Sequence, residues 1–145
     1  MTTESETSAS ALDHLQMELH HVGIVVADLD AAVTRYTALG FAPAGQEVIA
    51  EQDVAVAAFH ASPGYVELIS PLDAEGAIAR FLAKRGDGMH HAAYRVPDIA
   101  ATLDRLDAAG VRLIDRVPRV GLHGWRVAFI HPEACAGVLT ELVEV

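Results

Sequence analysis

The chain has 145 residues, 52% of them hydrophobic, and a formal charge of −10 from 10 Lys and Arg against 20 Asp and Glu. That is enough apolar sequence for a packed core. No basic run exceeds Lys84-Arg85, which argues against nucleic-acid binding, and no apolar run approaches the roughly 18 to 20 residues of a membrane span. Cys135 is the only cysteine, so no intrachain disulfide forms, and a cytoplasmic location is expected.

Residues 1–17, MTTESETSASALDHLQM, are polar and acidic. They lack the basic start and apolar stretch of a signal peptide and read as a disordered tail ahead of a single domain over 18–145. A strand is predicted over 19–26, ending at Asp28, a good helix N-cap. Leu29, Ala32, Val33 and Tyr36 then recur at helical spacing, and Gly40 stands where a helix ends. Segments 42–50, 53–60 and 64–70 are β-rich. The piece PLDAEGAIARFLAKRGDG reads as a turn, a linker helix over 77–84 and a Gly-Asp-Gly turn. A strand over 89–96 then leads to Asp98, to a helix carrying Ile99, Leu103 and Leu106, and to Gly110. Strands are predicted near 111–114, 125–131 and 137–144.

The second half copies the first. Displaced by 70 positions, residues 20–41 overlie 90–111 without a gap, and His20, His21, Val26, Asp28, Ala31, Arg35, Ala38 and Gly40 recur identically. The fold expected is α+β, with two tandem βαβββ modules over about 18–71 and 88–145.

The strand pleat turns Val22, Ile24 and Val26 under the helix, and turns His21, Gly23 and Val25 the other way. His91 and Ala93 correspond in the second copy. His20 and His90 are expected to point away from their neighbours, as core or hydrogen-bonded supporting residues. Glu67, in YVELIS, and Glu141, in LTELVEV, are carboxylates on apolar faces, where they are costly without a cation or donors. Matched halves that each supply one imidazole and one carboxylate suit a divalent ion on a pseudo-twofold axis. The expected ligands are His21, Glu67, His91 and Glu141. The donor types suit Co, Mn, Ni, Zn or ferrous iron, and four ligands leave two octahedral positions for a bidentate substrate. The loop 121–124 with Trp125 and Arg126 is a candidate border, whereas Cys135 reads as an inert turn thiol.

The paired modules resemble the vicinal-oxygen-chelate superfamily, whose members include glyoxalase I, extradiol dioxygenases, fosfomycin-resistance enzymes and bleomycin-binding proteins. Within it, PLDAEGAIARFLAKRGDGMHH, GVRLIDRVPRVGLHGWRVAFIHP and GVLTELVEV resemble the methylmalonyl-CoA epimerase family. The resemblance covers residues 18–145. It implies a curved, cupped mixed sheet, a divalent metal (Co, Mn, Ni or Zn) on His21, Glu67, His91 and Glu141, an acyl-CoA thioester substrate, and a homodimer. It also implies exchange of the α-proton through a metal-stabilised enolate, with Glu141 as one proton carrier. Departures are Asp53 for a Gly, Val56 for a Glu proposed as base in some relatives, Gly76 for a Ser and Glu133 for a Lys. Glu51, His60, His123 and a metal-bound water are candidates for the second proton carrier. Alternatives are a glyoxalase I-like lactoylglutathione lyase, another metal-dependent enzyme of the superfamily, and a non-catalytic drug-binding protein.

Overall fold

The computed structural model describes residues 16–145, so the tail expected over 1–17 lies almost wholly outside the described residues. Strand β1 (Glu18–Val25) runs to Asp28, whose carboxylate accepts from the Ala31 amide at 3.0 Å and starts helix α1 (Leu29–Ala38). Strands β2 (Ala42–Ile49), β3 (Val54–His60) and β4 (Tyr65–Pro71) complete the first half. Helix α2 (Ala77–Arg85) crosses to strand β5 (Gly88–Arg95). There Asp98 repeats the cap, accepting from the Ala101 amide at 3.0 Å, and opens helix α3 (Ile99–Ala108). Such caps satisfy an otherwise orphaned amide and contribute about 1 kcal/mol each. Gly40 and Gly110 follow the two helices with φ of 98° and 80°, left-handed backbone that favours glycine. Strands β6 (Arg119–Val120), β7 (Arg126–Ile130) and β8 (Thr140–Glu144) finish the chain.

All eight strands form one mixed sheet in the order β2-β3-β4-β1-β5-β8-β7-β6, curled into a half-barrel. The order reads the same from both ends by module. β1 pairs parallel with β4 and β5 with β8, while β1 and β5 join the modules antiparallel. Helix α1 packs Leu29, Ala32 and Val33 over Val22, Val26, Phe59 and Leu68. Helix α3 packs Ile99 and Leu103 over Val96, Ala128 and Leu142. The other face of the sheet carries a separate cluster of Val54, Val56, Ile69 and Leu122. Each module thus has its own core beneath its helix, and the opposite face is left to the site.

Two expectations are corrected. The strand predicted near 111–114 does not form: Leu113 makes a single bridge to Ile130. The amides of Ile114 and Asp115 both donate to the Phe129 carbonyl, at 2.9 and 3.1 Å, and the Asp115 carboxylate accepts from the Phe129 amide at 2.9 Å. A side chain thus replaces the ladder, and Pro118 brings no amide to continue it. What remains is the two-residue edge strand β6.

The second correction concerns His20 and His90. Along β1 and β5 the pairing passes from Leu19↔Tyr94 to His21↔Ala93, and from Gly23↔His91 to Ile24↔Met89. His20 and His90 are therefore the extra residues of two symmetry-related bulges. A bulge sets two residues against one and re-aims a side chain, so the alternation assumed for an unbroken pleat fails at both pairs. Both outer rings lie against the inner ones.

Candidate functional site

The register builds the site around two small residues. Gly23 of β1 lies between Glu67 on β4 and His91 on β5, and Ala93 of β5 lies between His21 on β1 and Glu141 on β8. A β-carbon placed on Gly23 would collide with the His91 ring. Glycine is required there by space, in keeping with the expectation that a small neighbour makes room.

All four carboxylate and imidazole residues named by the repeat are buried, each with 6% or less of its surface exposed. His21 Nε2 lies 3.0 Å from His91 Nε2 and 3.0 Å from Glu141 Oε1, and His91 Nε2 lies 3.7 Å from the same oxygen. Glu67 approaches the other edge of the His21 ring, with Oε2 3.1 Å from Nδ1. That contact lacks hydrogen-bond geometry, and Glu67 Oε2 is buried with no partner. His20 Nδ1 is 2.7 Å from His21 Nδ1, and His90 Nδ1 is 2.9 Å from His91 Nδ1. With His20, the four residues form two groups sharing His21: His21, His91 and Glu141 at its Nε2 edge, and His20, His21 and Glu67 at its Nδ1 edge.

Burial dominates the electrostatics. It pushes the Glu67 carboxyl up to about 7, opposed by His21 and reinforced by Glu141. It lowers His91 well below its ordinary value, assisted by His21 and His90, and lowers His20 to about 4, assisted by His21 and Arg95. His90 is lowered by burial and by Arg85. His21 runs the other way: burial alone would lower it, but the hydrogen bond it donates to Glu141 and the charges of Glu67 and Glu141 raise it.

The donors of His21, His91 and Glu141 fit a divalent cation. Ligands held about 2.1 Å from one ion at right angles are about 3 Å apart, close to the spacings among His21, His91 and Glu141. Glu67 brings a buried oxygen that no donor satisfies, and such a group is stabilised by a cation.

These residues form the floor of a cavity of about 350 Å³ whose walls include Val54, Val56, Ile69, Leu122, Trp125, Val127 and Phe129. Glu51 also lines it, from a short turn over Ala50–Gln52. His60 and His123 lie outside this lining. His60 packs on Tyr65 with ring centroids 5.5 Å apart, and His123 packs on Trp125 at 5.0 Å. Trp125 borders the cavity as expected, but Arg126 instead reaches Glu144 at 3.4 Å. Two features had no clear sequence signal. Arg119 is, among the described residues, the only Arg or Lys in the lining, held 3.3 Å from Asp115 and above the Phe129 ring at 5.8 Å. Asp87, read as a turn residue, accepts from the Ala27 amide at 3.0 Å and latches the linker to the end of β1. Cys135 is half-buried and packs against the second core.

The glyoxalase/bleomycin resistance protein/dioxygenase superfamily matches residues 20–129. An ethylmalonyl-CoA/methylmalonyl-CoA epimerase of Cereibacter sphaeroides is 40% identical over 134 residues, covering 88% of this chain and 97% of that protein. The crystal structure of methylmalonyl-CoA epimerase from Mycobacterium tuberculosis superposes with a TM-score of 0.82 at 43% identity, over 87% of this chain and 86% of that one. The chain belongs to the methylmalonyl-CoA epimerase family of this superfamily. A Streptomyces coelicolor member of the epimerase family, solved with 2-nitronate-propionyl-CoA, superposes with a TM-score of 0.84 at 38% identity, covering 90% of this chain and 95% of that one. Against this epimerase family background Val56 is notable. It sits in the cavity wall, buried and apolar, and so offers no base there. Glu51 and Asp53, just ahead of β3, are carboxylates that this chain brings to the cavity besides Glu67 and Glu141.

Proposed function

We propose that the protein interconverts the (2R) and (2S) epimers of methylmalonyl-CoA by removing the α-proton and returning it on the opposite face. The observation that carries the reading is the buried cluster of His21, Glu67, His91 and Glu141 at the floor of the cavity. Membership of the epimerase family supports the substrate class.

His21, Glu67, His91 and Glu141 would hold one divalent ion: Co, Mn, Ni or Zn. When bound, the ion supplies Lewis-acid stabilisation of the negative charge that develops on the thioester oxygen, worth several kcal/mol. Glu141 takes the α-proton from one face while a protonated Glu51 delivers one to the other, and the reverse conversion exchanges their roles. Glu51 serves the other face: of Glu51, His60 and His123, it alone lines the cavity. The apolar wall formed by Val54, Val56, Ile69 and Leu122 keeps water from the carbanion and strengthens every charge interaction within. Two carboxylates and two neutral imidazoles would cancel the charge of a divalent ion, so Arg119 adds the positive charge that an anionic thioester meets at the cavity.

The proposal extends to the whole molecule. Residues 18–145 act as one domain made of two modules, the protein works as a homodimer, and it resides in the cytoplasm. Among the described residues no helix is long and apolar enough to cross a membrane.

The test is stereochemical. Pure (2S)-methylmalonyl-CoA incubated with the Co²⁺-loaded protein should relax to a mixture of both epimers, read by chiral chromatography of the released acid. Persistence of the pure epimer, with turnover of a glutathione hemithioacetal instead, would move the protein to glyoxalase chemistry.

A further inference from the structure

The repeated His-His pair leaves half of its residues unused by the proposal above. Both pairs are built alike. In each, a bulge brings the outer ring against the inner one, with Nδ1 facing Nδ1 at 2.7 Å for His20 and His21 and at 2.9 Å for His90 and His91. In each, the inner ring turns Nε2 toward the centre, where His21 Nε2 and His91 Nε2 are 3.0 Å apart. The outer rings are themselves fixed by edge-to-face packing: His20 on Trp125 at 4.7 Å and 87°, and His90 on Phe81 at 4.9 Å and 82°.

A contact between two ring nitrogens at hydrogen-bond distance requires one N–H and one lone pair, and a neutral imidazole has one of each. Two assignments exist for each pair. If the outer ring donates, the inner Nδ1 is the acceptor and the inner Nε2 carries the hydrogen. The two Nε2–H groups would then face each other across 3.0 Å, and neither would have a lone pair for an ion. If the inner ring donates, its Nδ1 hydrogen goes to the outer ring, and its Nε2 lone pair points to the centre beside Glu141. With both inner rings so assigned, two Nε2 lone pairs and a Glu141 oxygen meet, an arrangement that a cation stabilises. Without the ion, the 3.0 Å Nε2–Nε2 contact needs one ring to carry Nε2–H, and His21, with Glu141 beside it as a further acceptor, is that ring.

We infer that His20 and His90 are positioning residues that accept a hydrogen bond from Nδ1 of His21 and His91, fixing the tautomer and ring orientation that present Nε2 to a metal. The inference rests on the metal-site reading but not on the identity of the substrate. The same role is played elsewhere by carboxylates and carbonyls behind ligating histidines, and its loss there weakens metal affinity by about 10- to 100-fold. Here a second histidine does it, twice, through a bulge.

The test uses ¹⁵N-labelled full-length protein, metal-free and loaded with Zn²⁺. Long-range ¹H–¹⁵N correlation spectra read which ring nitrogen of each histidine carries the proton. The expected result is Nδ1–H on His91 in both forms and on His21 in the Zn²⁺ form. His90→Phe should lower Zn²⁺ affinity by about 10- to 100-fold, measured by competition with a chromophoric chelator, and should leave His91 a mixture of tautomers. His90→Asn, whose amide oxygen accepts in place of Nδ1, should restore both. Nε2–H on His91 in the wild-type protein would overturn the inference, and so would a His90→Phe variant with unchanged tautomer and affinity. If the wild-type protein bound no Zn²⁺, the metal-site reading would fail, while the His91 tautomer of the metal-free protein would still decide the hydrogen bond.

Discussion

Glu67 is the residue on which the site's pH behaviour turns. Its carboxyl is raised from 4.5 to about 7 by burial, which costs the ionised form about 3 kcal/mol. In the metal-free protein the folded state keeps a proton that the unfolded chain gives up, so this part of the stability is complete below about pH 4.5 and is lost as pH rises to about 7. His20 and His91 act in the opposite sense. Their lowered values mean that the unfolded chain takes up protons first as pH falls below about 6.5. A divalent ion relieves the Glu67 cost and needs deprotonated ligands. The rise in melting temperature on adding Co²⁺ to EDTA-stripped protein should therefore be larger at about pH 8 than at about pH 5.5. An equal rise at both would contradict this account of Glu67. The same reasoning makes His91 indispensable. His91→Ala removes the nitrogen that lies 3.0 Å from His21 Nε2 and 3.7 Å from Glu141 Oε1, and should abolish tight metal binding and turnover while far-UV circular dichroism stays native.

At the level of elements, the bulges in β1 and β5 and the small residues beside them shape the centre. Gly23 is the sharpest case, because a methyl group there meets the His91 ring. Gly23→Ala should displace the ring, weaken metal binding by at least tenfold and cost about 1–3 kcal/mol in unfolding free energy, the usual penalty for overpacking. Normal metal affinity in that variant would contradict the packing described. This is also the scale at which the sequence was read most unevenly. The caps at Asp28 and Asp98, both helices and the faces carrying His21, Glu67, His91 and Glu141 were legible, because they follow from periodicity and, for the caps and histidines, from the offset of 70. The orientation of His20 and His90 was not, because a bulge adds a residue without any compositional mark. Residues 111–114 have strand-like composition, but Asp115 takes over their pairing, a competition between side chain and ladder that pattern does not register. Arg119 was missed because its place above Phe129 depends on that irregular edge.

The whole molecule is a doubled unit whose two halves meet at β1 and β5, so that His21, His91 and Glu141 converge on the join and Glu67 flanks it at the other edge of the His21 ring. Duplication explains why residues far apart in sequence sit within 4 Å. It also leaves the walls free to differ: Glu51, Val56 and Trp125 border the same cavity as Arg119 and Phe129 without being copies of them. The overall charge of −10 repels an anionic thioester at long range, which leaves capture to the metal site and Arg119.

The central claim is that this cavity removes and returns a proton at the α-carbon, and isotope exchange tests it most directly. (2R)-Methylmalonyl-CoA in D₂O should gain deuterium at that carbon with Co²⁺-loaded protein, accompanied by the (2S) epimer, and not with the EDTA-stripped control. The absence of exchange above that control would contradict the account.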